Sequence, residues 1–402
     1  MIHNKKINIL SNLNFVLLIS GYAFFTTLIY PIVGNIQSSS VFITIPYRIV
    51  ILIISTLLIL FSCKKKFIFT TNVNLIFLYF FFHLVRFFVD FELRDNYFNL
   101  NTKLFYYIFL IFVSFLPFFS FVITIKYIDF RKVALYSLIM IFITMLSSLV
   151  LNLGEQESDR LSGNLGLNPI SYGQIGAYSI ILSFFFLLSE QRKSIFFIIF
   201  LITSIILGFS VIGRAASRGP LFALILCLLF FLWSKQKSSI ISILLISILV
   251  LSIFIFQDDL VNLISNVSPT LATRILFSIN DGDSSGRDEL FQAGWQQFLD
   301  NRILGSYFVL FPENGKGINS HNIFIDAFMS FGFIGGILII FLVLKSLFIA
   351  SKFIRNSDLS WISLFLIISV TSAMVSNSFY MDCLLQLFMA TLFIKNKKGY
   401  YS

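Results

Sequence analysis

Apolar runs of about 20 residues recur from residue 13 almost to the end of the chain, with short polar segments between them. A helix that crosses a bilayer needs about 20 mainly apolar residues, so each run predicts one transmembrane helix. The predicted spans are 13–33, 41–61, 70–89, 104–125, 133–151, 170–189, 195–212, 219–233, 239–256, 322–345, 360–377 and 379–394.

Composition supports this interpretation. Hydrophobic residues make up 57% of the 402 residues and charged residues only 12%, which is far more apolar than a soluble core of this size requires. The sequence therefore predicts an all-α polytopic membrane protein of about twelve transmembrane helices. Residues 1–402 are expected to form a single integral membrane domain, and no segment resembles a cleaved signal peptide.

Lysines and arginines between the spans favour one orientation. Positively charged loops stay in the cytoplasm, and with the N-terminus inside, the inner segments hold 18 of the 29 lysines and arginines. Nine lie outside, and Arg48 and Arg86 lie within spans. Both termini of this multi-pass membrane protein are therefore expected in the cytoplasm.

The two sides also differ in residue type. The inner positive residues are fifteen lysines and three arginines, whereas the outer ones are two lysines and seven arginines. Orientation needs only charge, but the planar guanidinium of arginine binds phosphate in a bidentate way. The outer arginines therefore indicate an anionic ligand, although any one of them could instead anchor a helix end at the interface.

The segment GRAASRGPLF at 213–222 carries two of these outer arginines, Arg214 and Arg218, between two apolar runs. If the segment is helical, their four-residue separation puts both on one face. The Gly-Pro step that follows favours a break before the next span, with Pro220 in the first turn of that span.

Arg160 lies in the outer loop GEQESDRLSGNLGLNPISYGQ, whose glycines, Asn168 and Pro169 allow the chain to turn back towards the helices. It is a further candidate for the same anionic ligand. Pairing with the neighbouring Asp159 or Glu157 is the alternative.

One long polar excursion, 257–321, is predicted on the outer face. Within it, Ser285 and Asp288 have the spacing of a capping box, which indicates a helix with Arg287 in its first turn. The apolar stripe of this amphipathic helix consists of Leu290, Phe291, Gly294, Trp295, Phe298 and Leu299.

The position of Arg287 has a chemical consequence. A cation in the first turn faces the positive end of the helix dipole, and a bound diphosphate would remove that conflict. A local ion pair with Asp288 or Glu289 is an equally good explanation.

His321 stands at the predicted outer mouth of span ten, in NSHNIFIDAFMSFGFIGG. The helix dipole favours a neutral imidazole there, which could accept a proton from a hydroxyl as a general base. Asn322 and Asp326 are supporting candidates, since Asp326 could orient His321 or pair with an arginine. The alternative is a histidine that only caps the span. His83 and Arg86 form a separate intramembrane pair, functional or structural, outside the main prediction.

The missing motifs narrow the chemistry. The sequence has no Walker loop, no metalloprotease or paired-cysteine metal motif and no nucleophile elbow, so we expect no metal, no cofactor and no nucleic-acid partner. An outward-facing transferase has no nucleotide sugar available to it. A donor that is already activated, such as a lipid-linked diphosphate, would suit a group of arginines beside the bilayer.

Three stretches resemble the bacterial O-antigen polymerase and O-antigen ligase superfamily. They are SRGPLFAL at 217–224, GRDELFQAGWQQFLDNRILG at 286–305 and HNIFIDAFMSFGFIGG at 321–336, and RLSGNLGLNP at 160–169 resembles the outer loop that precedes them. The resemblance covers roughly residues 160 to 340, and the first 150 residues are similar only in having many spans.

This resemblance implies a metal-independent, inverting glycosyltransferase of the GT-C type that acts on undecaprenyl-diphosphate-linked glycans at the outer face of the cytoplasmic membrane. It implies that Arg218 and Arg287 hold the diphosphate, with Arg214 and Arg160 as further ligands, and that His321 helps to activate the acceptor hydroxyl. Membrane lipid and a chain-length regulator protein are the partners it implies.

Within the superfamily, polymerases join lipid-linked repeat units, whereas ligases transfer the finished chain to lipid A-core. Arg287 reaches Leu290 after three residues, not the four of the ligase motif, and this favours a polymerase of O-antigen or capsular polysaccharide. A ligase is the alternative. A flippase for the same lipid-linked sugars is a third reading, but no internal repeat supports it.

Overall fold

The computed structural model describes residues 2–33, 40–62, 70–94, 98–151, 156–157, 160–161, 167–189, 193–235, 257–280, 287–311, 317–354, 358–376 and 378–397. Its helices are α1 Ile2–Val16, α2 Tyr22–Val33, α3 Ser40–Ser62, α4 Thr71–Phe88, α5 Leu100–Ile108, α6 Leu116–Thr124, α7 Phe130–Val150, α8 Pro169–Leu187, α9 Ile195–Ala215, α10 Arg218–Lys235, α11 Gln257–Val267, α12 Pro269–Asn280, α13 Arg287–Asp300, α14 Ile323–Phe353, α15 Ser360–Ala373 and α16 Cys383–Lys397.

Short π-helical segments continue three of these helices: Leu17–Gly21 joins α1 to α2, Val89–Leu93 extends α4, and Phe109–Phe115 joins α5 to α6. Two residue pairs, β1 Gln156–Glu157 and β2 Arg160–Leu161, form a small antiparallel hairpin. Single turns of 3₁₀ helix occur at Ile125–Tyr127 and Phe379–Met381.

The chain is a polytopic membrane protein. Among the described residues, eight helices are long and apolar enough to cross a membrane, and Arg218–Ser234, Ser360–Ala373 and Cys383–Asn396 are shorter apolar helices. Each of these eleven helices overlaps one predicted span, although the ends differ by up to nine residues, as for Asn4–Ile29 and the predicted start at residue 13. The remaining predicted span, 239–256, lies outside the described residues.

Two compact units make up the chain. The first contains Met1–Ile51, Tyr127–Asp283 and Ser351–Ile368, and the second contains Leu52–Lys126, Ser284–Ala350 and Ser369–Ser402. Because α3, α14 and α15 cross these limits, each contributes residues to both units.

In the first unit, α8 and α9 cross at two glycines. A Cβ on Gly176 would lie 2.5 Å from the Gly208 carbonyl oxygen, and a Cβ on Gly208 would lie 2.8 Å from the Gly176 carbonyl oxygen. Small residues of this kind let two backbones approach closely where apolar burial alone gives little driving force. This contact fixes the C-terminal half of α9, where Arg214 lies.

The second unit has an aromatic core. The ring of Phe308 lies 4.5 Å from that of Phe87 and 4.8 Å from that of Tyr106, and Phe87 contacts Tyr380 at 5.4 Å between ring centroids. These rings come from α4, α5, the chain after α13 and the turn before α16. Their packing holds the chain that follows α13 against the membrane-length helices of this unit.

Helix α14 is broken at Gly332, whose φ of +62° and ψ of −154° are not helical. A Cβ there would lie 2.3 Å from the carbonyl oxygen of Ile303, so the chain at 302–303 passes directly against the break. The glycine at this position permits both the backbone break and the close approach of the loop.

Candidate functional site

The predicted site residues divide between the two units. Arg160, Arg214 and Arg218 belong to the first, and Arg287, His321, Asn322 and Asp326 belong to the second. Each group has its own local construction.

The first group surrounds the corner between α9 and α10. Helix α9 ends at Ala215, and Ala216 adopts the left-handed conformation with φ +44°, which turns the chain before α10 begins at Arg218. Arg214 therefore lies in the last turn of α9 and Arg218 at the start of α10. Because Ala216 turns the chain, the segment is not one continuous helix, and the four-residue spacing does not put the two arginines on one helical face. The predicted break lies before Arg218, and Pro220 lies in the first turn of α10.

Two helices of the long loop are fastened to this corner. The Ser268 hydroxyl, between α11 and α12, donates to the Gly213 carbonyl at 2.7 Å, and Arg218 Nη1 donates to the Arg274 carbonyl at 3.0 Å. Arg274 is thus a third outer arginine at the corner, and it was not among the predicted site residues. The only signal for Arg274 in the sequence was that it is one of the seven arginines predicted on the outer side.

The start of α8 contacts the same corner. Asn168 caps this helix by accepting the Ser171 N–H at 2.8 Å, and a Cβ on Gly173 would lie 2.8 Å from Pro220. Arg214 interacts electrostatically with Tyr172 in the first turn of α8. These contacts place the start of α8 beside the corner, whereas residues 162–166 of the preceding loop lie outside the described residues.

Arg160 lies in strand β2, which contacts α9. Its backbone thus belongs to the same neighbourhood as the helix that carries Arg214. The position of its side chain, and with it the pairing with Asp159 or Glu157, lies outside the described residues.

In the second unit, His321 has an unusual backbone. Its φ is +59°, a conformation that residues other than glycine seldom adopt. Its Nδ1 lies 3.3 Å from the Ser376 carbonyl oxygen. Since a carbonyl only accepts, a hydrogen bond here places the proton of a neutral imidazole on Nδ1 and leaves the lone pair on Nε2.

Asn322, not His321, is the cap of α14. Its Oδ1 accepts the N–H groups of Phe324 at 3.0 Å and Ile325 at 3.2 Å, and its Nδ2 donates to the Met374 carbonyl at 3.2 Å. The cap satisfies amides that the first helical turn leaves unpaired. His321 stands one residue before this cap, and its side chain takes no part in the capping bonds to Phe324 and Ile325.

Asp326 is buried one turn further along α14. Its Oδ1 accepts the Ser320 N–H at 3.0 Å and the Ser320 hydroxyl at 2.6 Å, and its Oδ2 accepts the Ser378 hydroxyl. The carboxylate thus links Ser320, which precedes His321 in the chain, to the distant Ser378. It also interacts electrostatically with His321. These bonds hold the turn around the histidine.

Among the described residues, helix α13 covers Arg287–Asp300, and Gly294 and Phe298 form its buried face. A Cβ on Gly294 would lie 2.7 Å from Ile325 and 3.3 Å from Ser320, so α13 packs directly on the turn that carries His321. The predicted capping residue Ser285 lies outside the described residues. Trp295 is 46% exposed, although it belongs to the predicted apolar stripe.

Two kinds of chemistry are therefore assembled. One unit presents arginines at a helix corner, and the other presents a histidine whose Nδ1 contacts a carbonyl, in a turn that packs against α13. Guanidinium groups suit phosphate oxygens, and a neutral imidazole suits a hydroxyl proton. Among the described residues, no group of three or more histidines, cysteines and acidic residues could hold a metal ion.

Residues 204–340 match the family model described as O-antigen ligase. The matched segment contains Arg214, Arg218, Arg274, Arg287, His321, Asn322 and Asp326, and Arg160 precedes it. No curated protein matches the chain.

Proposed function

We propose, from the premise that the chain belongs to the O-antigen ligase and polymerase superfamily, that it polymerises O-antigen or capsular polysaccharide. The substrates are oligosaccharide repeat units linked to undecaprenyl diphosphate, at the outer face of the bacterial cytoplasmic membrane. The observation that carries the proposal is that one family match spans six of the seven predicted site residues, on a chain with many membrane helices.

The proposed reaction is an inverting glycosyl transfer of the GT-C type. The acceptor hydroxyl attacks the anomeric carbon of the donor sugar, and the bond from that carbon to the lipid diphosphate breaks. The hydroxyl proton passes to Nε2 of His321, and the leaving diphosphate keeps the bonding electrons. Arg218 and Arg287 neutralise its charge, with Arg214 and Arg160 as further ligands, so the proposed step needs no metal.

The alternative function is ligation of the finished polymer to lipid A-core. The matched family is described as O-antigen ligase, and this match does not distinguish the two functions. The three-residue spacing from Arg287 to Leu290 favours the polymerase. Both reactions use the same donor chemistry, so the same arginines and histidine serve either one.

A deletion strain separates the functions on one gel of surface polysaccharide. For a polymerase we expect a single repeat unit on the core or cell surface, without longer chains. Bare core with polymer stranded on the carrier lipid would instead identify a ligase, and unpolymerised units kept inside the cell would identify a flippase. Long chains at normal abundance would reject all three.

The arginine assignment is tested by Arg218→Ala and Arg287→Ala. Loss of one group that stabilises a developing charge lowers the rate by about 10²–10³, so we expect long-chain polysaccharide to disappear while the protein still inserts. Arg302→Ala is the matched control, because Arg302 is an exposed arginine whose Nε donates to the Leu299 carbonyl at 3.2 Å. Wild-type chain lengths in both variants would contradict the assignment.

A further inference from the structure

Arg86, which the proposed reaction does not use, is buried in α4 with 7% of its side chain exposed. A buried cation in a helix of membrane-spanning length requires partners, and its whole guanidinium is engaged. Nε and Nη2 both donate to the Ser330 carbonyl, at 2.8 and 2.6 Å, and Nη2 also donates to the Leu304 carbonyl at 3.0 Å. Nη1 lies 3.5 Å from the Asp90 carboxylate.

The Ser330 carbonyl lies beside the break in α14, and the Leu304 carbonyl lies in the loop after α13 that packs against this break. In an unbroken helix the Phe333 N–H would bond to the Met329 carbonyl. Instead it donates to the Arg302 carbonyl at 2.9 Å, and the Met329 carbonyl accepts the Ser306 N–H at 2.7 Å. The loop after α13 thus supplies the backbone partners that the break removes.

Ser330 lies two residues before the non-helical Gly332, in the last turn of the first half of α14. Its carbonyl accepts two hydrogen bonds from Arg86. Irregular backbone at membrane depth persists only where its polar groups are satisfied by protein or water. Arg86 therefore satisfies the C-terminal end of the half-helix 323–331 and ties it to the loop.

The other end of the same half-helix carries the His321 turn. Asn322 caps it, and Asp326 binds Ser320 and Ser378. The half-helix is thus fixed at one end by Asp326 and at the other by Arg86. We infer that Arg86 is a positioning residue for the transfer reaction, which acts through the half-helix by holding the His321 turn in place. This inference rests on the proposed function.

The test has one arm that does not depend on activity. Purified protein in lipid nanodiscs is compared by hydrogen–deuterium exchange for Arg86→Gln, Arg86→Lys and the control Arg94→Gln. Arg94 pairs with the same Asp90 at 3.7 Å and lies over the Tyr307 ring. We expect exchange across 301–306 and 329–334 to rise at least tenfold in Arg86→Gln, less in Arg86→Lys, and not in Arg94→Gln.

Unchanged exchange in Arg86→Gln would overturn the inference. If that variant does not insert, Arg86→Lys decides, since it keeps the charge but has its three donors on one nitrogen. It therefore cannot reproduce the paired contact of Nε and Nη2 with the Ser330 carbonyl and the separate contact of Nη1 with Asp90. Wild-type exchange in Arg86→Lys would then be the contradicting result.

The second arm measures transfer with a lipid-diphosphate-linked repeat unit. A positioning role predicts that Arg86→Gln lowers kcat at least tenfold with little change in KM, and that adding it to His321→Asn causes no further loss. Raised exchange with wild-type kcat would overturn the positioning role. Full activity of His321→Asn would instead reject the proposed role of the histidine. The exchange data would still test whether Arg86 holds the broken backbone of α14.

Discussion

Replacing His321 by asparagine is expected to lower the rate of glycan transfer by about 10²–10⁴, the range that a positioned general base contributes. Asparagine is the informative substitution because it tolerates the positive φ of +59° that this residue adopts. It can also donate to the Ser376 carbonyl, as Nδ1 does now. What it cannot do is accept the hydroxyl proton.

The measurement is the turnover of purified enzyme in nanodiscs, together with the chain lengths that the variant produces in a deletion strain. His321→Gly is the matched control for the backbone, because it permits the same φ and removes the ring. We expect both variants to elute as folded protein and both to be inactive. An active His321→Asn enzyme would show that the imidazole is not the base.

Replacing Gly332 by alanine is expected to destabilise the second unit by about 3 kcal/mol or more. Its φ of +62° and ψ of −154° belong to a region that is essentially restricted to glycine. The new Cβ would also lie 2.3 Å from the Ile303 carbonyl oxygen and 2.5 Å from that of Arg302. Both neighbours are backbone atoms, so neither can move aside as a flexible side chain would.

The effect is read from the midpoint of thermal unfolding, followed by size-exclusion chromatography of detergent-solubilised protein. Gly305→Ala should behave in the same way, since Gly305 has φ +70° and faces the backbone of Ser330 and Phe331. Gly219→Ala is the control, because a Cβ there meets nothing within 4 Å. An unchanged midpoint in Gly332→Ala would mean that the break in α14 is not needed.

The hydrophobic pattern was sufficient to predict the long apolar helices among the described residues. Spans such as 195–212 and 219–233 lie within one or a few residues of α9 and α10, since a bilayer-spanning run has to be both apolar and helical. The same pattern could not reveal the break in α14, because the residues around Gly332 are as apolar as those of an unbroken span. In the polar segment 257–321, the sequence of α11 has an amphipathic helical pattern, with Leu260, Leu263, Ile264 and Val267 on one face.

For the candidate site, residue chemistry identified the arginines and His321, but their surroundings came from contacts between distant residues. The bond from Arg218 to the Arg274 carbonyl joins residues 56 positions apart, and that from Arg86 to the Ser330 carbonyl joins residues 244 apart. No local spacing encodes such pairs. The sequence therefore presents Arg86 only as a member of an intramembrane pair with His83, and the backbone that it satisfies belongs to the tertiary structure.

The sequence by itself determined a helical membrane protein, because the length of apolar runs follows from local composition. It also predicted an arginine-rich outer face, from the side on which each charge falls. Only the tertiary structure decided that Ala216 turns the chain between Arg214 and Arg218, and that loop and half-helix exchange backbone partners at Gly332. Those features depend on backbone polar groups finding partners far away in the chain, and such partners exist only once the helices have packed.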